Sequence, residues 1–380
     1  MINKIVFTVT PIYSIPPKSA AAVESWIYHV AKRLEIENRI VCIQNEGYSH
    51  YSEVNEKCSI ERIKFGKIYT RLFKKWTRLD PYSYADRIVK IKRKFATNSD
   101  ESIIIVHNNI KLFKKIIKKE GHKNVILHMH NCFEPQNVPA NIKIIVPSHF
   151  THNWFRERLP EASIEVVRNG FDGDIYSLPS DIKREDIGLN KNDNVILFAG
   201  RITRDKGVLE LMKACSILFK DRANYKLVIV GDINAASKGE HAEFQDEVKN
   251  YAHQLGEQCI LLGGIHPEKM RHYYSIADLV AVPSIADESF CMVALEAMAS
   301  GCSVIASQRG AMVEFIKHNE TGFIFREPLS AASMADDINN ALNHDNRSQI
   351  ADAAKQYAYD NFTWEIVKNE LRSVIDKWYK

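Results

Sequence analysis

Glu288 and Glu296 stand eight positions apart and bracket Ser289-Phe-Cys-Met-Val-Ala-Leu295, shortly after the strand-like Leu279-Val-Ala-Val-Pro-Ser284. A helix opening at Ser289 would present amides without intrahelical partners, and its dipole would favour an anion at that end. Carboxylates on either side of such a start can grip sugar hydroxyls, so the pattern points to a nucleotide sugar. Eight residues of helix rise about 12 Å, which suits one acid meeting a donor sugar and the other a ribose. In the simpler alternative Glu288 only complements the helix dipole and Glu296 is a surface acid. Against it, Glu296 lies inside Met292-Val-Ala-Leu-Glu-Ala-Met-Ala-Ser-Gly301, apolar on nearly every face, where an acid needs a partner.

A second group of candidates follows the strand-like Val195-Ile-Leu-Phe-Ala-Gly200, in Arg201-Ile-Thr-Arg-Asp-Lys-Gly207. A guanidinium fork and an ammonium five positions apart, closed by glycine, can address a single diphosphate. A solvated loop carrying two of the chain's many cations is the alternative. In the first half, His128 and His130 alternate onto one face of a strand that ends in Asn131, and His107 ends the strand before it. The i, i+2 spacing is compatible with zinc, but no third ligand is evident in the sequence, so no metal is expected.

The elements that must position these residues are short β-branched runs alternating with helical patterns. One series covers residues 4–10, 39–44, 103–107, 125–130, 142–147 and 164–167; a second covers 195–200, 226–231, 259–263, 279–283, 303–307 and 322–325. Near-continuous apolar strands between helices imply parallel sheets covered on both faces, and two series imply two doubly wound α/β domains. Ligands of such sheets bind outside the carboxyl ends of the strands. The expected organisation is an N-terminal domain over 1–170, a turn-rich linker over 171–190, and a C-terminal domain over 191–361. A helix over 362–380, with Trp364, Val367, Leu371, Val374, Ile375 and Trp378 on one face, should pack back on the N-terminal domain.

Neither GxGxxG after the first strand nor GxxxxGK[ST] occurs, which lowers dinucleotide enzymes and P-loop NTPases as readings. The seven cysteines form no CxxC pair and read as reduced, buried thiols. No apolar run approaches the ~20 residues that cross a bilayer, so a cytoplasmic location is expected. Charge is divided: residues 1–180 hold 28 Lys+Arg against 18 Asp+Glu, the remainder 23 against 29.

Glu288 to Glu296 resembles the E-x7-E signature of retaining glycosyltransferases of family 4. Gly200-Arg201 to Lys206-Gly207, Val230-Gly231-Asp232, Asn169-Gly-Phe-Asp172 and Gly301-Cys-Ser-Val-Ile-Ala306 agree with that family along the whole chain. The resemblance implies the GT-B fold, two facing Rossmann-like domains with an interdomain cleft. It implies that Glu288 binds donor-sugar hydroxyls and Glu296 the ribose. Arg201 and Lys206 would hold the diphosphate, with Gly200, Gly231 and the backbone around Ser289, Phe290, Cys291 and Met292 completing the donor site. Ser289 and Cys291 stand where relatives carry glycine. His130 matches the family histidine that lines the transfer site; His107 is either its neighbour or a satisfied core histidine. Where relatives carry a Gly-Gly pair after the first strand this chain has Ala20-Ala21-Ala22, so Lys18 is expected to do more of the phosphate contact alongside Ala21 and Ala22.

Phe7-Thr-Val-Thr-Pro11, Lys75-Trp-Thr-Arg-Leu-Asp-Pro81 and His128-Met-His-Asn131 resemble the members of that family that build lipopolysaccharide outer core. They imply UDP-N-acetylglucosamine as donor and a lipid-linked core oligosaccharide as acceptor, with retention and without a metal or other cofactor. UDP-glucose or UDP-galactose remain open as donors. Rival readings are a nucleotide-sugar epimerase and a basic binding module for acidic polymers. Residues 62–78 place basic and aromatic side chains at helical spacing, and the basic stretch 62–94 suits an anionic membrane surface or a phosphorylated lipid acceptor. A peripheral position on the inner face of the inner membrane follows. Nucleic acid is not expected, because no recognition motif accompanies the charge.

Overall fold

The computed structural model describes residues 2–10, 14–17, 22–45, 47–65, 83–96, 98–234 and 239–380. Lys18, Ala21 and most of the basic aromatic stretch, residues 66–82, lie outside them. Tertiary contacts divide the chain into two units, Met1–Gly170 with Trp364–Lys380, and Phe171–Thr363.

The first unit carries β1 (Lys4–Thr8), β2 (Glu37–Ile43), β3 (Tyr51–Glu53), β4 (Cys58–Ile63), β5 (Ser102–His107), β6 (Val125–His128), β7 (Lys143–Val146) and β8 (Ser163–Val166). They form one sheet in the order β3-β4-β2-β1-β5-β6-β7-β8, parallel except for the antiparallel edge strand β3. Alternate residues serve opposite faces. Ile5, Phe7, Ile103 and Ile105 pack with Trp26 on one side; Val6, Ile104 and Val106 pack with Tyr84 and Phe113 on the other. Burial on both faces is why these strands read as continuous apolar runs. The sheet grows from β1 in both directions, to β2 on one side and β5 on the other, so its crevice opens at the carboxyl ends of β1 and β5.

The helix Trp364–Trp378 belongs to this unit. Trp364, Val367, Leu371, Val374 and Ile375 are buried in the core shared with Trp26 and Ile27. The Glu370 carboxylate accepts from the Arg168 backbone amide at 2.9 Å and from the Arg168 side chain at 2.6 Å, fixing the helix to the chain just after β8.

The second unit carries β9 (Asn194–Ala199), β10 (Tyr225–Val230), β11 (Cys259–Gly263), β12 (Leu279–Val282), β13 (Val304–Ala306) and β14 (Phe323–Ile324). The order is β11-β10-β9-β12-β13-β14, with every pairing parallel. Its switch point lies between β9 and β12, the strands that lead into Arg201 and Glu288. Two Rossmann-like domains are therefore present. Among the described residues no helix is long and apolar enough to cross a membrane. The seven cysteines are free.

Three sequence expectations change. Residues 171–190 are no linker: Phe171 and Leu189 are buried in the core of the second unit, and Tyr176, Ile182 and Ile187 pack against it. Arg62, expected on a basic helix, lies in β4 and is buried, donating to Ile15 O at 2.7 Å and Ser52 Oγ at 2.8 Å. Lys92 is likewise buried and pairs with Glu120 at 2.7 Å. These two cations therefore face no membrane. Lys64, Arg87, Lys90, Arg93 and Lys94 stay exposed. The strands β3 and β4 show no apolar pattern in the sequence because Glu53, Glu61 and Arg62 interrupt it.

Candidate active site

In the second unit, β9 ends at Ala199, and Gly200 and Arg201 follow at its carboxyl end. The loop turns through Arg204–Lys206 and enters the helix Val208–Leu218 at Gly207. Gly207 has φ +68°, and a Cβ there would come 2.0 Å from Pro283 O. Only glycine lets this loop lie against the end of β12. The Ile285 amide donating to Asp205 O at 2.9 Å completes the join. Lys206 is thereby brought to the loop after β12, where its Nζ meets Glu288 Oε1 at 2.5 Å.

Glu288 is held from three directions. Ser284 Oγ donates to the same Oε1 at 2.6 Å, and the Ala311 amide donates to the Glu288 carbonyl at 2.8 Å. Gly310, at φ +61°, packs so closely that a Cβ would lie 2.2 Å from that carbonyl. Its carboxylate is mostly enclosed, and its Oε1 is shared between a cation and a hydroxyl. Arg201, in contrast, is 73% exposed and among the described residues makes only a 3.5 Å pair with Asp205, leaving its guanidinium available to an arriving anion. Gly200 and Gly231 sit back to back at the ends of β9 and β10, where a Cβ on Gly231 would come 2.3 Å from Gly200 O. Close backbone approach thus requires glycine at 231, while Gly200 has room for a Cβ but sits at φ +153°.

The helix after Glu288 starts later than the sequence suggests. It spans Met292–Ala299, with Cys291 as its first flanking residue at φ +80°. Ser289 and Phe290 form a bend before it. The cause is Phe290, whose ring turns inward to stack on Phe315 and meet Phe362, centroids 5.4 and 5.7 Å away. Cys291 then adopts the left-handed region that suits glycine, the type expected there from relatives. Burial, with the Glu288 charge nearby, pushes its thiol up to about 12, so it stays protonated and inert.

Glu296 projects from this helix toward two tyrosines. Tyr274 Oη donates to Glu296 Oε2 at 2.9 Å, and Tyr176 contributes a second side-chain hydrogen bond. Burial raises the carboxyl to about 7, and the two hydroxyls act in the opposite sense by stabilising its charge. The partner that the apolar helix demanded is thus a tyrosine pair.

In the first unit His107, His128 and His130 converge at the carboxyl ends of β5 and β6. His107 Nδ1 lies 3.2 Å from His130 Nε2, and the rings of His128 and His130 stack at 4.1 Å. Asn108, at φ +50°, accepts the His130 amide on its Oδ1 at 3.2 Å and so fixes the chain beyond β6. Trp26, on the helix Ala22–Ala31, packs edge-on against His128 at 4.4 Å and anchors its own Nε1 on Arg168 O at 3.0 Å. Burial lowers all three imidazoles, His130 to about 3 and the other two well below the usual range, with mutual repulsion adding to the effect on His107 and His128. All three are therefore neutral near pH 7. Among the described residues His107 Nε2 finds no partner while its Nδ1 meets His130, so His107 is the neighbour of His130 and not a fully satisfied core histidine. Ala22 opens its helix and is exposed.

Residues 179–360 match the family described as Glycosyl transferases group 1. Over all 380 residues, covering both chains completely, the sequence is 47% identical to the lipopolysaccharide 1,2-N-acetylglucosaminetransferase of Salmonella typhimurium. The chain belongs to the group 1 glycosyl transferases. Like other members of that family it is an enzyme of glycosyl transfer. Among solved structures it is similar to sucrose-phosphate synthase from Thermosynechococcus elongatus, with TM-score 0.76, 18% identity and 99% of each chain covered. It is also similar to Anabaena HepE in complex with UDP-glucose, with TM-score 0.74, 20% identity and coverage of 98% of this chain and 99% of that one. These likenesses place the group 1 transferase in the GT-B fold.

The site contains residues that sequence reading passed over. Ser284, Asp205 and Gly310 hold Glu288 and the Lys206 loop, and Tyr176 and Tyr274 hold Glu296. Only the glycine carried a visible signal, in Gln308-Arg-Gly310 directly after the Ser303–Ser307 run.

Proposed function

We propose that this glycosyltransferase moves N-acetylglucosamine from UDP-N-acetylglucosamine to a hydroxyl of the lipopolysaccharide outer core, with retention at the anomeric carbon. The observation that carries the donor and acceptor is the 47% identity, over the whole of both chains, with the Salmonella typhimurium enzyme of that printed activity. Glu288, held by Lys206 and Ser284, binds hydroxyls of the donor sugar, and Glu296 binds the ribose. Arrival of the diphosphate draws Lys206 from its pair with Glu288, and Arg201 folds in from solvent. Together with the amides of Phe290, Cys291 and Met292 they meet the charge that grows on the leaving group, a preorganised electrostatic contribution. Neutral His130 accepts or donates a hydrogen bond at the transfer site. A departing phosphate oxygen takes the acceptor's proton, so neither a protein base nor a metal enters the transfer.

The acceptor is lipid-linked, and the exposed Lys64, Arg87, Lys90, Arg93 and Lys94 favour an anionic membrane surface. The enzyme accordingly works as a peripheral protein on the cytoplasmic face of the inner membrane. The test incubates the enzyme with UDP-N-acetylglucosamine in EDTA, with and without truncated core acceptor. One added N-acetylhexosamine, formed only with acceptor and at an undiminished rate, is expected. Epimerised donor without acceptor, or activity that returns only with Mn²⁺, contradicts the reading.

A further inference from the structure

We infer that His107, His128 and His130 form a binding site for a divalent transition-metal cation of the zinc type. One ring nitrogen from each residue lies within 4.8 Å of the other two. The tightest pair, His107 Nδ1 and His130 Nε2, is 3.2 Å apart. That distance matches the about 3.3 Å edge of a tetrahedron with Zn–N bonds of about 2.05 Å. The third nitrogen must close by no more than about 1.5 Å, which rotation of an imidazole about its soft terminal torsion can supply.

Hydrogen bonding among the three rings is an insufficient account of them. His107 Nε2, His130 Nδ1 and both nitrogens of His128 are buried without a hydrogen-bond partner among the described residues. His128, with neither nitrogen paired among the described residues, is the least satisfied of the three. A cation on one His128 nitrogen gives that ring a partner that no described protein group provides. Three imidazoles without carboxylate or thiolate suit zinc, nickel or copper and reject magnesium and calcium. The scaffold is already set: two rings sit on adjacent parallel strands paired His107 to His128, and Trp26 packs against all three rings. His130 keeps 7% of its surface exposed and marks the side of entry. His130 is shared with the transfer site of the proposed function; the ion holds its ring and takes no part in the transfer itself, and because metal binding is read without donor or acceptor, its failure is distinguishable from the failure of that reading.

The experiment titrates chelator-treated full-length protein with Co²⁺ alone. The expected result is one equivalent bound, with the visible ligand-field absorption of four-coordinate cobalt, displaced by Zn²⁺. His128→Leu and His107→Leu should each lose that absorption while still binding UDP, which reports that the second unit remains folded. X-ray absorption of the zinc-loaded wild-type chain supplies a readout independent of variant folding, with three imidazole rings expected around the metal. No stoichiometric binding, binding unchanged in both variants, or sulfur in the zinc shell overturns the proposal.

Discussion

Glu296 carries the pH signature of the site. Its carboxyl is raised by burial from 4.5 to about 7, so between those values the folded chain holds a proton that the unfolded chain has released. This contribution to stability is present at acid pH and is lost as pH rises from about 4.5 to about 7. Nucleotide binding should run the other way, because ribose hydroxyls donate best to the ionised acid. UDP affinity, measured by calorimetry from pH 6 to 8, should therefore rise through about 7 in the wild type. Glu296→Gln should bind about tenfold or more weakly, in keeping with a lost charge-assisted hydrogen bond, and with a flat profile. An unchanged slope in the variant would assign the pH dependence to another group. The need for a partner was readable from the apolar helix around Glu296. Its identity was not, because Tyr274 lies 22 positions earlier and reaches it only through the fold.

At the scale of elements, the loops at the ends of β9 and β12 act as one piece because Gly207 lets them touch. Gly207→Ala would place a Cβ 2.0 Å from Pro283 O and force a left-handed alanine. Left-handed strain and a backbone clash together predict a loss of about 2–4 kcal/mol in urea unfolding, accompanied by weaker UDP binding as Lys206 leaves its place. A change below about 0.5 kcal/mol would show that the two loops separate freely. Strand positions were legible wherever both faces are buried, as in β1, β5, β9 and β10. The edge strand β3 and its neighbour β4 were hidden by charged residues, and Arg62 misled because a buried arginine on β4 looks in sequence like part of a basic helix. The later helix start at Met292 was hidden too, since the packing of Phe290 against Phe315 and Phe362 is a tertiary contact.

For the whole molecule, two doubly wound units were readable from the two series of strands, and the apolar face of Trp364–Trp378 announced a helix that docks. Residues 171–190 looked like a linker because turn formers dominate them, yet Phe171 and Leu189 anchor the segment in the second unit. What the chain moves, and onto what, depends on substrate-reading loops that no periodicity reveals. The most direct measurement is a competition among UDP-N-acetylglucosamine, UDP-glucose and UDP-galactose at equal concentration with truncated core acceptor, read by product mass. The account predicts addition of a single N-acetylhexosamine as the dominant product; preferential addition of a hexose would contradict it.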